Sequence, residues 1–194
     1  MRRMGALHGA RNLLRVDAVR ELACSPRVRE VMEALLGPAC FAVRGLYFDK
    51  PLGANWMVPW HQDLHIAVKT RADLPGFAAW SVKAGVPHVE PPFDLLERMA
   101  TIRIHLDAAH AGNGALRVIA GSHRLGRLSA DDVDAARLRD PETLCEVPAG
   151  GALLMRPALL HASSNAGGGR ARRVVHLEFA AEDLPAGLEW ADRV

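Results

Sequence analysis

Apolar positions along the chain fall into two regimes. From Pro26 to Leu36 they recur at helical spacing, with Val28, Val31, Met32, Leu35 and Leu36 on one face. Ser25-Pro26 supplies an N-cap followed by proline at the first helical position, where a missing N–H costs nothing, and Gly37-Pro38 ends the run. A shorter helix capped by Asp17 is predicted through Leu22. Residues 1–39 are therefore expected to form a helical cover over one face of a sheet.

From Cys40 the period shortens to two. Phe41, Val43 and Tyr47 alternate with Ala42, Arg44 and Leu46, and further strands are predicted at 64–69, 99–107, 115–119, 143–147, 152–156 and 172–180. Turn signals separate them, at Gly112-Asn113-Gly114, Pro148-Ala149-Gly150-Gly151 and Gly167-Gly168-Gly169. Many short strands with glycine-rich turns predict a mainly-β domain with a jelly-roll core over residues 40–180. Two segments interrupt the pattern. Residues 71–98 hold six prolines and glycines around Trp80 and His88, then a short helix at 93–98. So long an insertion with little regular structure is expected to close over a cavity as a lid, with Trp80 or its neighbours in the apolar wall of the substrate pocket; the alternative is that these residues close the bottom of the sheet. Residues 129–138 read as a capped helical turn.

Composition narrows the function classes. A chain of 194 residues is expected to form a single domain, residues 1–194. The formal net charge is +2, from 24 Lys+Arg against 22 Asp+Glu, without the clustered basic excess of a nucleic-acid surface. The 3 cysteines (Cys24, Cys40, Cys145) form no CxxC pair and suit free thiols in a reducing compartment, so a cytoplasmic location is expected. Apolar runs such as Ala152–Met155 fall far short of the roughly 18 residues of a membrane span. The N-terminal arginines Arg2, Arg3, Arg11 and Arg15 accompany neither serine nor an apolar h-region, which predicts a solvated basic helix. What remains is a chain acting on a small molecule, without nucleic acid or membrane as partner.

The 9 histidines raise the question of which converge. The densest group is His61-Gln62-Asp63-Leu64-His65. In a strand, residues two apart share a face, so His61 and Asp63 would present an imidazole beside a carboxylate. Nitrogen with oxygen suits a borderline divalent metal such as Fe(II). A third ligand must come from elsewhere, and His161 is the best candidate, at the exit of a strand that follows the Gly150-Gly151 turn. Two histidines and one carboxylate on one face of an octahedron leave three positions open, the facial triad of non-haem iron oxygenases. Arg172, entering the next apolar strand, could hold the far carboxylate of a chelating 2-oxo acid through its planar fork. His65 could instead pair with His61 at the i, i+4 spacing of zinc proteins, but Gln62 stands where an HExxH site needs its glutamate. His105 and Arg103 share one face of their strand, with Ile102, Ile104 and Leu106 on the other. The polar pair faces either solvent or, if the apolar set meets the helical cover, the interior. Trp60 and His123 are expected in structural roles, and Asn113-Gly114 as a turn.

Trp60-His61-Gln62-Asp63, the run from Asn113 to His123, His161-Ala162-Ser163-Ser164-Asn165 and Arg172-Arg173 together resemble the phytanoyl-CoA dioxygenase family over about residues 40–180. That resemblance implies a double-stranded β-helix (jelly roll, cupin-like) and an Fe(II)- and 2-oxoglutarate-dependent dioxygenase. It would use O₂ to hydroxylate a small organic substrate, with release of succinate and CO₂. His61, Asp63 and His161 are then the catalytic iron ligands, and Arg172 with Ser163 clamps 2-oxoglutarate. Arg103 lies near the co-substrate where relatives often place an aromatic residue. Lys50, Trp56, Trp80 and His105 are candidates for the substrate side. Gly150-Gly151 stands where glycine-aspartate is commoner, and Ala120 where proline is usual; both effects are local. Asp63 is present, whereas halogenases of the wider group replace it with a small residue, so hydroxylation is the default. A metal-binding cupin-like isomerase or hydrolase, or a silent 2-oxoglutarate-binding module, is the alternative on the same fold.

Overall fold

The computed structural model describes residues 9–50, 57–165 and 171–194. Its elements in chain order are β1 (Gly9–Ala10), α1 (Asp17–Ala23), α2 (Pro26–Leu36), β2 (Phe41–Lys50), β3 (Val58–His61), β4 (Ile66–Ala67), β5 (Ala78–Lys83), β6 (Val86–Glu90), α3 (Phe93–Glu97), β7 (Met99–His105), β8 (Leu116–Ile119), α4 (Ala130–Arg139), β9 (Glu142–Cys145), β10 (Ala152–Met155), β11 (His161–Ser163) and β12 (Arg172–Ala180). They form antiparallel sheets in the orders β1-β2-β12-β7-β10, β3-β11-β8-β9 and β4-β6-β5. The fold is mainly β, of the jelly-roll kind expected, with α1 and α2 packed on one sheet. Among the described residues no helix is long and apolar enough to cross a membrane.

The large sheet is apolar outside and polar inside. Val175, Leu177 and Phe179 of β12 pack with Ile102 of β7 against Ala23, Val28 and Met32 of the helices. Strand alternation then sends the intervening residues inward: Arg172, Val174, His176 and Glu178 of β12, and Arg103 and His105 of β7. The same alternation places Arg44, Leu46, Phe48 and Lys50 of β2 on that face. This resolves the two options for Arg103 and His105 in favour of the interior: they are 5% and 2% exposed.

Four of the polar groups buried on that face are matched to one another. Arg44 contacts Glu178 at 2.5 Å and donates to the His65 carbonyl at 2.9 Å. Glu178 lies 3.1 Å from His176 Nε2, and His176 Nδ1 accepts from Arg103 at 2.9 Å. A continuous polar chain therefore runs Arg103–His176–Glu178–Arg44 through the sheet, as buried ions require.

Several local expectations need correction. Ser25 does precede α2, but its hydroxyl donates to the Leu22 carbonyl at 2.7 Å instead of capping the helix. Asp17 is the first residue of α1, not its cap. The chain around Arg11 is no helix: Gly9–Ala10 pairs with Tyr47 and Phe48, and Leu13–Arg15 is a 3₁₀ turn. Arg2 and Arg3 lie outside the described residues, as does the Gly167-Gly168-Gly169 turn. At Ser129 the predicted cap forms, with Asp132 reciprocating.

The segment 71–98 is also more ordered than its prolines and glycines suggest. β5 and β6 form a hairpin through Ala84 and Gly85, both at positive φ (50° and 78°), the pattern of a type I′ turn. Val89, Leu95 and Leu96 are core residues, and Phe77, Trp80 and Phe93 pack against the same cluster. Trp80 is thus held by the hydrophobic core, with Arg71 over its ring at 5.5 Å, and lines neither cavity described below.

Candidate metal centre and its two cavities

His61 and His161 face each other across the β3–β11 ladder as direct register partners, with ring centroids 4.2 Å apart. Each ring has its Nδ1 2.8 Å from a backbone carbonyl, that of Pro59 for His61 and Leu159 for His161. A carbonyl only accepts, so Nδ1 carries the proton and Nε2 keeps its lone pair. Both Nε2 atoms converge on Asp63, 3.7 Å and 3.6 Å from its two carboxylate oxygens. One donor atom from each residue lies within 4.8 Å of the others.

Asp63 reaches this point from outside the strand. β3 ends at His61, so simple alternation along a strand does not place the carboxylate. Its backbone N–H donates to Pro157 O at 2.9 Å. Gln62 anchors the loop from the other side, donating to Gly126 O (2.9 Å) and Ala158 O (2.8 Å) and accepting from Leu128 N–H (2.9 Å). Nothing in the sequence singled out Gln62 for that task. Burial opposes ionisation of Asp63, but His161, His176, Arg44 and His61 outweigh it and hold the carboxyl well below the usual range. Burial likewise lowers the His161 pKa to about 4, so the imidazole is neutral at pH 7.

This donor set fits a first-row divalent ion. Cis ligands at about 2.1 Å from a metal stand roughly 3 Å apart, so contraction by less than about 1 Å closes the His–Asp pairs on an ion. His65 is not part of the group: its Nε2 lies 3.3 Å from Ala79 O.

Two cavities meet at the centre. The inner one, about 70 Å³, is lined by Phe48, His61, Asp63, Arg103, His161, Ser163 and Arg172, among others. Arg172 is 2% exposed, and its Nε and one terminal nitrogen have no hydrogen-bond partner among the described residues. The Arg103 Nε and both His105 ring nitrogens are unpartnered as well. Orphaned buried donors cost about 1–3 kcal/mol each, and a carboxylate entering this cavity would meet the guanidinium groups of Arg172 and Arg103 in its wall. Arg173 points the opposite way and holds Asp107 on the surface. Lys50, expected on the substrate side, is instead fully buried at this end, donating to Ser163 Oγ at 3.1 Å and Ser164 O at 2.7 Å. Gly114 makes room for it: at φ 77° a Cβ would stand 2.6 Å from Ser164 O and 2.9 Å from Lys50 Nζ. Arg103 lies 5.1 Å over the Phe48 ring, a flat cation where an aromatic was expected.

The outer cavity, about 590 Å³, is lined by Arg11, Arg44, Tyr47, Phe48, His61, Asp63, His65 and Lys83, among others. Of the four substrate-side candidates, Lys50 and His105 are buried on the inner face, Trp80 is in the core, and Trp56 lies outside the described residues. Arg44 could have been found from its period-two relation to Lys50; Arg11 and Lys83 carry no local signal. Trp60 packs in the small core under α4, as expected, with Arg117 at 5.4 Å over its ring. At the His123 loop the structural hydrogen bond is made by Ser122, whose hydroxyl accepts from Leu160 N–H.

His105 makes the pH dependence of stability predictable. Burial, then Arg103 and Arg172, lower its pKa to about 4, against about 6.5 in an unfolded chain. Between these values the unfolded state binds a proton that the folded state refuses. Stability is therefore full above pH 6.5 and falls as pH drops from about 6.5 towards about 4, by on the order of 3 kcal/mol from this group. Urea unfolding of metal-free protein at pH 7.5 and 5 checks this, and His105→Gln should flatten the slope.

With the site in view, the comparisons define the class. The sequence matches the family profile described as phytanoyl-CoA dioxygenase (PhyH) over residues 3–174. The chain belongs to that family, whose cofactors are Fe(II), 2-oxoglutarate and O₂. Among solved structures, it is similar to EvdMO1 at 25% identity, with 96% of this chain and 38% of that chain covered and a TM-score of 0.67. EctD from S. alaskensis with bound Fe matches at 18% identity over 92% of this chain and 58% of that one, with a TM-score of 0.70. The non-heme alpha ketoglutarate dependent epimerase SnoN matches at 14% identity over 92% of this chain and 68% of that one, with a TM-score of 0.61. The chain thus spans well under two thirds of the length of EvdMO1 and EctD. No curated protein matches in sequence.

Proposed function

We propose that this chain is an Fe(II)- and 2-oxoglutarate-dependent dioxygenase that hydroxylates a small organic molecule, with His61, Asp63 and His161 holding the metal and Arg172 and Ser163 holding the co-substrate. The observation that carries this is the convergence of two proton-fixed imidazoles and a carboxylate beside a cavity containing an unpartnered, buried guanidinium. When bound, iron and 2-oxoglutarate would supply the oxidising power of O₂, one oxygen atom entering the succinate formed as CO₂ leaves and the other entering the substrate. The chain's own work is positional. Pro59 and Leu159 orient the imidazoles, Gln62 fixes the loop that carries Asp63, and the Arg172 fork fixes the far carboxylate. Arg103 adds a second cation to the same wall, and the core behind the site limits water.

A cupin-like hydrolase or isomerase that binds no 2-oxo acid has no use for a buried, unpartnered arginine beside the ligand set, and turnover of 2-oxoglutarate separates a silent 2-oxoglutarate-binding module. Anaerobic titration with Fe(II) and 2-oxoglutarate should give a weak metal-to-ligand charge-transfer band in the visible. Iron that binds without that band sinks the proposal. Once a substrate is found, product one oxygen atom heavier supports hydroxylation, and an isomeric product of unchanged mass overturns it.

A further inference from the structure

The outer cavity holds more positive charge than its surroundings neutralise. Among the described residues its lining includes Arg11, Arg44 and Lys83 but Asp63 as the only carboxylate, and Asp63 faces the two histidines. Arg44 is matched by Glu178 behind the wall. Arg11 and Lys83 make no ion pair or hydrogen bond among the described residues. Lys83 is half-buried, and burial, then Arg44 and Arg11, push its ammonium pKa down. Uncompensated cations on the wall of a concave site create a field that draws an anion.

The backbone segments that carry the two cations are anchored, with Lys83 half-buried and Arg11 exposed. Lys83 ends β5 at the tight Ala84-Gly85 turn, and Arg11 directly follows β1, which is paired to β2. Asn12, next to Arg11, joins these segments by donating to Ala84 O at 3.4 Å. Tyr47, Leu46 and Phe48 supply apolar surface in the same cavity. At about 590 Å³ the space suits a small molecule.

We infer that the primary substrate is a small molecule with an apolar body and an anionic end, a carboxylate or a phosphate, and that Lys83 and Arg11 bind that end while the body lies towards His61 and Asp63. This rests on the proposed function for what happens at the metal, but the charge preference is separable from it.

The test is calorimetry on full-length protein loaded with Zn(II) and saturating 2-oxoglutarate, so that the Arg172 cavity is filled, and again on metal-free protein. The probes are hexanoate, its neutral counterpart hexanamide, and inorganic phosphate. Hexanoate should bind about 10-fold or more tighter than hexanamide, the scale of one charge-assisted contact. Lys83→Gln and Arg11→Gln should each remove most of that preference and leave hexanamide unchanged, and Lys83→Arg should retain it. Arg139→Gln, on the remote face of α4, is the control. Phosphate that displaces hexanoate and binds more tightly assigns the phosphate class; phosphate without effect assigns the carboxylate. Equal affinity for hexanoate and hexanamide, or a preference untouched by both glutamine variants, overturns the inference. Loss of the charge preference with the Fe(II)–2-oxoglutarate band intact condemns this inference alone. A preserved preference without that band condemns the proposed function alone.

Discussion

Asp63→Ala is expected to abolish turnover and to weaken metal binding by more than about 100-fold, because loss of an outer-shell partner alone costs up to that much. Asp63 is the only carboxylate in the converging group, and it spans the two Nε2 atoms with separate oxygens. Without it two neutral imidazoles remain, which hold a divalent ion weakly and give it no charge compensation. The fold should survive. The backbone bond from residue 63 to Pro157 O is independent of the side chain, and Gln62 still anchors the loop. Circular dichroism and thermal melting of metal-free variant and parent should therefore coincide, while Fe(II) titration separates them. A variant that binds iron and consumes 2-oxoglutarate like the parent would remove Asp63 from the site.

Arg172→Lys should raise the concentration of 2-oxoglutarate needed for half-saturation by about 10-fold or more, on the scale of one lost charge-assisted hydrogen bond. The charge is kept, but the ammonium presents a point where the guanidinium presents two parallel donors. Arg172 is also the residue whose free nitrogens point to an absent partner, so the effect should fall on co-substrate affinity more than on iron affinity. Arg173→Ala is the matched comparison: its side chain is tied to Asp107 outside the sheet and should leave 2-oxoglutarate binding unchanged. If Arg173→Ala weakens 2-oxoglutarate and Arg172→Lys does not, the inward register assigned to β12 is wrong.

The parts of this molecule that the sequence reveals are those governed by a period or a motif. The predicted span of β12 matches the strand residue for residue, because each alternate position has one clear environment, helices outside or cavity inside. The three candidate ligands could be named because the His-x-Asp spacing and a histidine soon after a glycine turn and a strand are local features, although His161 opens β11 instead of closing the strand before it. The hairpin of β5 and β6 was hidden by its turn, since alanine at φ 50° carries none of the usual left-handed preference, and Pro87 looks like a breaker. β1 has only two residues, and its pairing with β2 is a tertiary fact. The outer cavity was illegible for a related reason: Arg11, Arg44 and Lys83 are far apart in sequence, and only the register of three separate strands assembles them. Lys50, a candidate for the substrate side, stands at the inner end instead, because its strand ends in the interior.

The buried line Arg103–His176–Glu178–Arg44 bears on how this protein can change. Its two ends stand in the walls of different cavities, so altering either end disturbs a carboxylate and an imidazole that serve the other. Substitutions within such a network do not add, and the discrepancy is commonly about 0.5–3 kcal/mol. Selection for a new substrate through Arg44 would therefore be conditional on the residue at Glu178, and single steps there would be penalised before a second change could restore them. Lys83 and Arg11 make no hydrogen bond or ion pair with that line among the described residues, although the Arg44 charge acts on the Lys83 ammonium. Under the inference that these two residues hold the substrate's anionic end, a library confined to them samples new specificities without altering the lining of the co-substrate cavity.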